Sequence, residues 1–176
     1  MEVKSGKRKR LFWCIALCVC VALLCVLWFL HDRGYCATAA EAADIFQCNE
    51  QLFRNCQAAL SEQDKISYIT YHKASAENVH PENLYCIDGA YLIAEQPVEE
   101  QERMDAAMLV NRLNDAVPLR SITIRQKPLR VEFCLKTTNI LNAVLIVYSS
   151  DGSVQDQYIN DSYQIDENWF AYITGD

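Results

Sequence analysis

Five cysteines lie beyond the long apolar run of this chain: Cys36, Cys48, Cys56, Cys86 and Cys134. They are the residues best placed to do chemistry. Outside a reducing compartment such thiols oxidise in pairs. Cys48 and Cys56 fall eight residues apart on one expected helix, about 12 Å along its axis, and a bridge tolerates only about 7 Å between Cα atoms. The pairings left open join Cys48 or Cys56 to Cys86 or Cys134. The odd residue, Cys36, could then cross-link two copies. Free, buried thiols are the plain alternative, because cysteine is among the most buried residue types. Cys134 falls on the polar side of its expected strand, which makes it the thiol expected to be exposed. A thiol enzyme would need Cys86 or Cys134 beside His72 or His80. No motif around any of the four brings them together.

Other chemistry is less well supported. The region after the apolar run has no C-x-x-C, H-x-x-x-H or H-E-x-x-H spacing, so no metal ligand set is assigned. There is no G-x-S-x-G and no glycine-rich phosphate loop, so no catalytic residue and no cofactor-binding residue is assigned. Asp151, Asp156, Asp161 and Asp166 recur every five residues, but an odd spacing scatters side chains over both faces of a strand. Asp151 and Asp161 are expected in turns. Asn160-Asp161-Ser162 is a glycosylation sequon, with meaning only where exported chains are glycosylated.

Leu11 to Leu30 reads LFWCIALCVCVALLCVLWFL, twenty positions without a charge. As a helix it would span about 30 Å, the thickness of a bilayer's hydrocarbon core. Trp13 and Trp28 suit the two interfaces. The cluster Lys7-Arg8-Lys9-Arg10 stands immediately before the run, so the N-terminus is expected in the cytoplasm and the remainder outside. The layout is then a basic tail (1–10), a transmembrane signal anchor (11–30), a juxtamembrane linker (31–37) and an extracytoplasmic domain (38–176). Cleavage near Ala37-Thr38-Ala39 is the rival, weakened by the length of the run and the charges between it and that site. Residues 34–176 carry ten Lys or Arg against twenty-one Asp or Glu, a formal −11. Such a domain repels phosphate backbones, which disfavours nucleic acid as a partner.

Thr38 with Glu41 has capping-box spacing. From there Ile45, Cys48, Leu52, Cys56 and Leu60 recur at helical spacing, flanked by Phe46 and Phe53, predicting one amphipathic helix of about 22 residues that ends near Ser61. Ile66 to His72 reads as a strand. Leu84–Ile87 and Ala90–Ile93 flank Asp88-Gly89, a hairpin signal. Pro97 in a first helical position, followed by Glu99, Glu100 and Glu102, opens a second helix through Met104, Met108, Leu109 and Leu113, closed by Pro118. Strands follow at Leu119–Arg125 and Leu129–Lys136, the latter with Leu129, Val131, Phe133 and Leu135 on one side. Ala143–Tyr148 is apolar enough to be central. Asp151-Gly152 predicts a second hairpin into Val154–Ile159, and Trp169–Ile173 a last strand. The expected fold class is α+β: an N-terminal transmembrane helix, then an amphipathic helix and a second helix packed on an antiparallel β-meander.

The function expected from this layout is a membrane-tethered, extracytoplasmic module, without an evident catalytic site, that binds a protein partner or assembles with its own copies. Its test is whether the stripe from Ile45 to Leu60 stays uncovered. The order of basic tail, apolar helix, amphipathic helix and antiparallel sheet resembles that of pilins, structural subunits of surface or secretion assemblies. The resemblance implies a continuous helix from about residue 11 to 60. The pilin processing motif departs here, since Arg10 precedes Leu11 where a Gly would stand and Ile15 occupies the Glu position.

Overall fold

The computed structural model describes residues 19–21, 23, 38–77, 83–137, 142–153 and 159–175. Cys36–Asp176 forms one compact unit and Met1–Tyr35 another. Within the first unit the described residues Val19–Val21 and Leu23 are helical. Most of the expected span, Leu11–Leu30, lies outside the described residues. Among those described, no helix is long and apolar enough to cross a membrane.

The larger unit begins as its capping box requires. Glu41 N donates to Thr38 Oγ1 and Thr38 N to Glu41 Oε2, both at 3.2 Å, with Thr38 itself extended. Helix α1, Ala39–Cys48, starts there, so no helix runs through Thr38, and the continuous helix implied by the pilin layout is absent. Nor does one amphipathic helix reach Ser61. Asn49 ends α1 and begins α2, Glu50–Glu62. Its side-chain amide donates to Ile45 O at 3.0 Å and its backbone N–H to Phe46 O at 3.0 Å. Asparagine competes with the helix for its own backbone acceptors, and here that competition breaks the run.

Among the described residues eight strands form one antiparallel sheet: β1 Ile66–Thr70, β2 Leu84–Ile87, β3 Ala90–Ala94, β4 Leu119–Gln126, β5 Leu129–Leu135, β6 Asn142–Ser149, β7 Ile159–Gln164 and β8 Trp169–Gly175. Between β1 and β2 lies a short helix α3, Lys73–Glu77, and between β3 and β4 a long helix α4, Glu100–Ala116. The strand order is β2-β3-β1-β4-β5-β6-β8-β7, which corrects the simple meander. β1 is inserted between β3 and β4, antiparallel to both, and α4 makes the crossover. The expected β6 hairpin after Asp151-Gly152 is also corrected. β6 pairs with β8, and β8 with β7. The compositions explain the order. Trp169–Ile173 is buried on both faces and needs two neighbours, whereas Ile159–Gln164 is polar and sits at the edge. The segment Val154–Ile159 falls outside the described residues except for Ile159, the first of β7.

The Asp88-Gly89 turn forms as expected, with φ of 47° and 84°. The second long helix starts later than expected. Glu99, not Pro97, closes the helix end in a capping box with Glu102.

Helices α1, α2 and α4 cover one face of the sheet. α1 lies on β8, β6 and β7, α2 on β5 and β4, and α4 on β3 and β2 as well as on α2. At the centre Phe46, Phe53, Phe133, Tyr148 and Trp169 meet with ring centroids 4.7 to 6.5 Å apart. The stripe from Ile45 to Leu60 is therefore covered by the domain's own sheet: Phe46, Phe53, Cys56 and Leu60 are buried, and Ile45 and Leu52 pack partly against them. Only Cys48 of the stripe is exposed. The opposite face is not simply polar. Val147, Phe170 and Tyr172 are buried there. So is Arg130, whose Nε lies 2.7 Å from Glu132 Oε1 and whose guanidinium donates to the Tyr172 hydroxyl.

Candidate functional site

Of the concavities formed by the described residues of the larger unit, two hold the side chains of most interest. The first opens at one end of the sheet, where β1, β4, β5 and β6 end or begin. It is a cleft of about 370 Å³ lined by Tyr71, His72, Arg120, Cys134, Lys136 and Asn142 among others, with Leu119, Leu135 and Ala143 as apolar wall. The fold thus brings together His72 and Cys134, two of the residues singled out as possible thiol chemistry. It does not pair them. The Cys134 sulfur's hydrogen bond runs to Leu135 O at 3.9 Å. Burial pushes this thiol up from its ordinary value, and the nearby Arg120 guanidinium and a hydrogen bond with Ser121 offset that only in part. A nucleophilic cysteine requires the reverse, a depressed pKa.

The other thiols are placed apart. Cys56, beneath α2 on the helix-covered face, is pushed up to about 12 by burial. Tyr85 and Phe133 face the helices, so their strand neighbours Cys86 and Cys134 face the other way. The sheet thus separates these two from Cys56. Cys48, Cys56, Cys86 and Cys134 are all free thiols. Cys36 and His80 lie outside the described residues. Cys86, on β2 at the sheet edge, is exposed, whereas Cys134, the thiol expected to be exposed, is half-buried.

The aspartates are dispersed. Asp151 sits in the turn after β6, held well down to about 2 by hydrogen bonds from the Ser149 and Ser153 hydroxyls and the Ser153 N–H. Asp161 is in β7, not in a turn, and accepts from Ala39 N at 2.8 Å at the start of α1. Asp166 precedes β8 and binds Arg54. Asp156 lies outside the described residues. Among the described residues no group of three or more His, Cys, Asp or Glu is arranged to hold a metal ion.

The second concavity runs along the outer side of α4, a shallow groove of about 780 Å³ between that helix, Tyr71 and the β2–β3 turn. Helix periodicity points Ala106, Ala107, Val110 and Leu113 at the sheet. Met104 and Met108, one turn apart, are left outward at 46% and 63% exposure. Reading both methionines as part of an apolar helix was correct for the element and silent on the face. Asp88, Asp105 and Asp115 flank them, with Arg112 the one basic residue among the described lining. Tyr71 closes the inner wall, its hydroxyl 3.1 Å from Asn111 Oδ1, while Asn111 Nδ2 donates to Asp88 O at 3.4 Å. An exposed pair of flexible thioethers in an acidic surround is suited to non-covalent docking, since methionine adapts its shape to a partner. The signal was present in the sequence as Met104-x3-Met108 beside Asp105, but only the placement of α4 shows which side of the helix is free. Comparison with protein-family models, with curated protein sequences and with solved structures finds no match for this chain.

Proposed function

We propose that this protein is a membrane-tethered, extracytoplasmic protein-binding module whose docking face is the groove along α4, and that its partner presents a basic, amphipathic segment. The observation that carries the reading is the outward pair Met104 and Met108 among Asp88, Asp105 and Asp115. Apolar contact supplies affinity, and the acidic rim selects a positively charged partner and speeds encounter. A domain with a formal −11 acts in the same sense at longer range. The tether rests on the uncharged run Leu11–Leu30, and Val19, Val21 and Leu23 within it are helical with their side chains more than half exposed. The orientation rests on the basic residues before that run. The Ile45–Leu60 stripe, whose exposure was the test of a docking role, is covered, so that test goes against the stripe and the reading rests on the α4 groove instead.

The test uses the full chain in neutral-lipid nanodiscs and a helical peptide with Leu and Lys on opposite faces. Met104→Ser with Met108→Ser changes only exposed side chains, so folding is preserved. Binding to wild type should weaken at least tenfold in the double variant, and should weaken with added salt. Equal binding by the two proteins, or equal binding of an acidic counterpart peptide, would refute the groove as the docking face.

A further inference from the structure

The cleft at the end of the sheet carries a second inference, independent of the α4 groove. Acids outnumber bases twenty-one to ten in residues 34–176, yet among the described residues no Asp or Glu lines this cleft, while His72, Arg120 and Lys136 do. Most arginines of the domain are engaged elsewhere: Arg54 with Glu50 and Asp166, Arg125 and Arg130 with Glu132, and Arg103 over the Tyr85 ring. Among the described residues, neither Arg120 nor Lys136 has a carboxylate partner. The backbone holds both in place. The β4–β5 pairing shifts register between Leu119 and Ser121, which makes Arg120 the extra residue of a bulge. Its carbonyl accepts from the Thr70 hydroxyl at 3.2 Å and from Tyr71 N at 3.5 Å, both from the neighbouring chain segment at the end of β1. Lys136 N donates to Pro118 O at 2.9 Å, fixing the other rim. A bulge re-aims the side chain it carries, and here two cations flank the paired residues Leu119 and Leu135.

We infer that this cleft is a binding site for a small organic anion, a carboxylate on a compact apolar body. Arg120 and Lys136 take the carboxylate, and Leu119, Leu135 and Ala143 take the apolar part. Arginine's planar fork matches a carboxylate's two oxygens, and the lysine adds a point charge. The Asn142 amide, at the start of β6, supplies a neutral polar group on the same rim. A volume of about 370 Å³ suits a ligand of roughly ten to fifteen heavy atoms, at the lower end of small-molecule sites.

The probe is 3-phenylpropionate, with 3-phenylpropanamide as the uncharged analogue, titrated calorimetrically into the full chain in neutral-lipid nanodiscs. The acid should bind at least tenfold more tightly than the amide, and Arg120→Gln with Lys136→Gln should remove that preference. Cys134 gives a second measurement that needs no ligand. Its alkylation rate by anionic iodoacetate relative to neutral iodoacetamide should exceed the same ratio at Cys86 at least threefold in wild type, and match it in the double variant. Equal binding of acid and amide, or a rate ratio at Cys134 no higher than at Cys86, would overturn the assignment. The Met104 and Met108 variants should leave both measurements unchanged, so failure here and failure of the α4 groove are read separately.

Discussion

Arg130 shows how much one side chain can depend on its neighbours. It stands at a position that strand alternation assigns to the polar side of β5, yet it and Glu132 are only 8% and 12% exposed. β5 is a central strand, and its second face adjoins Val147 and Phe170 through β6 and β8, so even a polar residue there loses water. Two charges so placed are tolerated because they neutralise one another. Removing Arg130 leaves Glu132 with only the longer, 3.7 Å contact to the exposed Arg125, so the cost approaches that of a broken buried pair, about 3–5 kcal/mol. Urea unfolding of Arg130→Ala in the full chain should show a loss of that order. Arg130→Met with Glu132→Leu should lose far less, since the pair's net contribution is small once desolvation is counted.

Asp166 offers a pH-dependent counterpart. Burial pushes its carboxyl up, but the Asn168 and Trp169 N–H groups and the Arg54 guanidinium outweigh burial, and the net shift is downward. A carboxyl whose folded pKa is below its unfolded value, about 3.9, adds stability that is fully present above that value and is lost as the pH falls through the folded one. Arg54→Gln shrinks the depression. The acid-unfolding midpoint, followed by circular dichroism between pH 6 and 2, should move to higher pH in this variant.

At the scale of elements, turns and caps were the legible part of the sequence. Thr38 with Glu41 and Asp88 with Gly89 act through two to four adjacent residues, and local chemistry decides them. Gly89 has φ of 84° and open space where a Cβ would lie, so the cost of Gly89→Ala is conformational alone. It should be about 1 kcal/mol in thermal unfolding, with no change in the pairing of β2 and β3. The break at Asn49 was not legible, because an asparagine on the polar side of an amphipathic pattern looks the same whether its amide faces water or the Ile45 carbonyl. Strand order was equally hidden. Asp151-Gly152 has the chemistry of a hairpin, but β8 outcompetes β7 for the edge of β6 because it buries residues on both faces, and that competition is decided by residues far along the chain. The cleft and the α4 groove were legible only as residue types. Cys134 and His72 could be nominated, whereas Arg120 and Lys136 emerge only once a bulge and a strand end set them side by side.

At the scale of the whole molecule, the proposed topology binds the other readings together: it would put residues 1–10 on one side of a membrane and the larger unit on the other. The thiols give that claim a built-in ruler. Cys48 and Cys86 are exposed, while Cys56 is enclosed beneath α2 with its thiol pushed up to about 12, so accessibility and reactivity both silence it in the folded protein. A membrane-impermeant maleimide applied to intact cells should label Cys48 and Cys86 without prior reduction and leave Cys56 unmodified until denaturant is added. Labelling of Cys48 and Cys86 only after lysis would place the larger unit in the cytoplasm. The pattern also separates burial from sidedness, because lysis alone would expose Cys48 and Cys86 but not Cys56. On the proposed topology, a basic partner segment on the extracytoplasmic side would meet the acidic domain, while the chain's own basic tail would lie across the bilayer and could not compete for the groove.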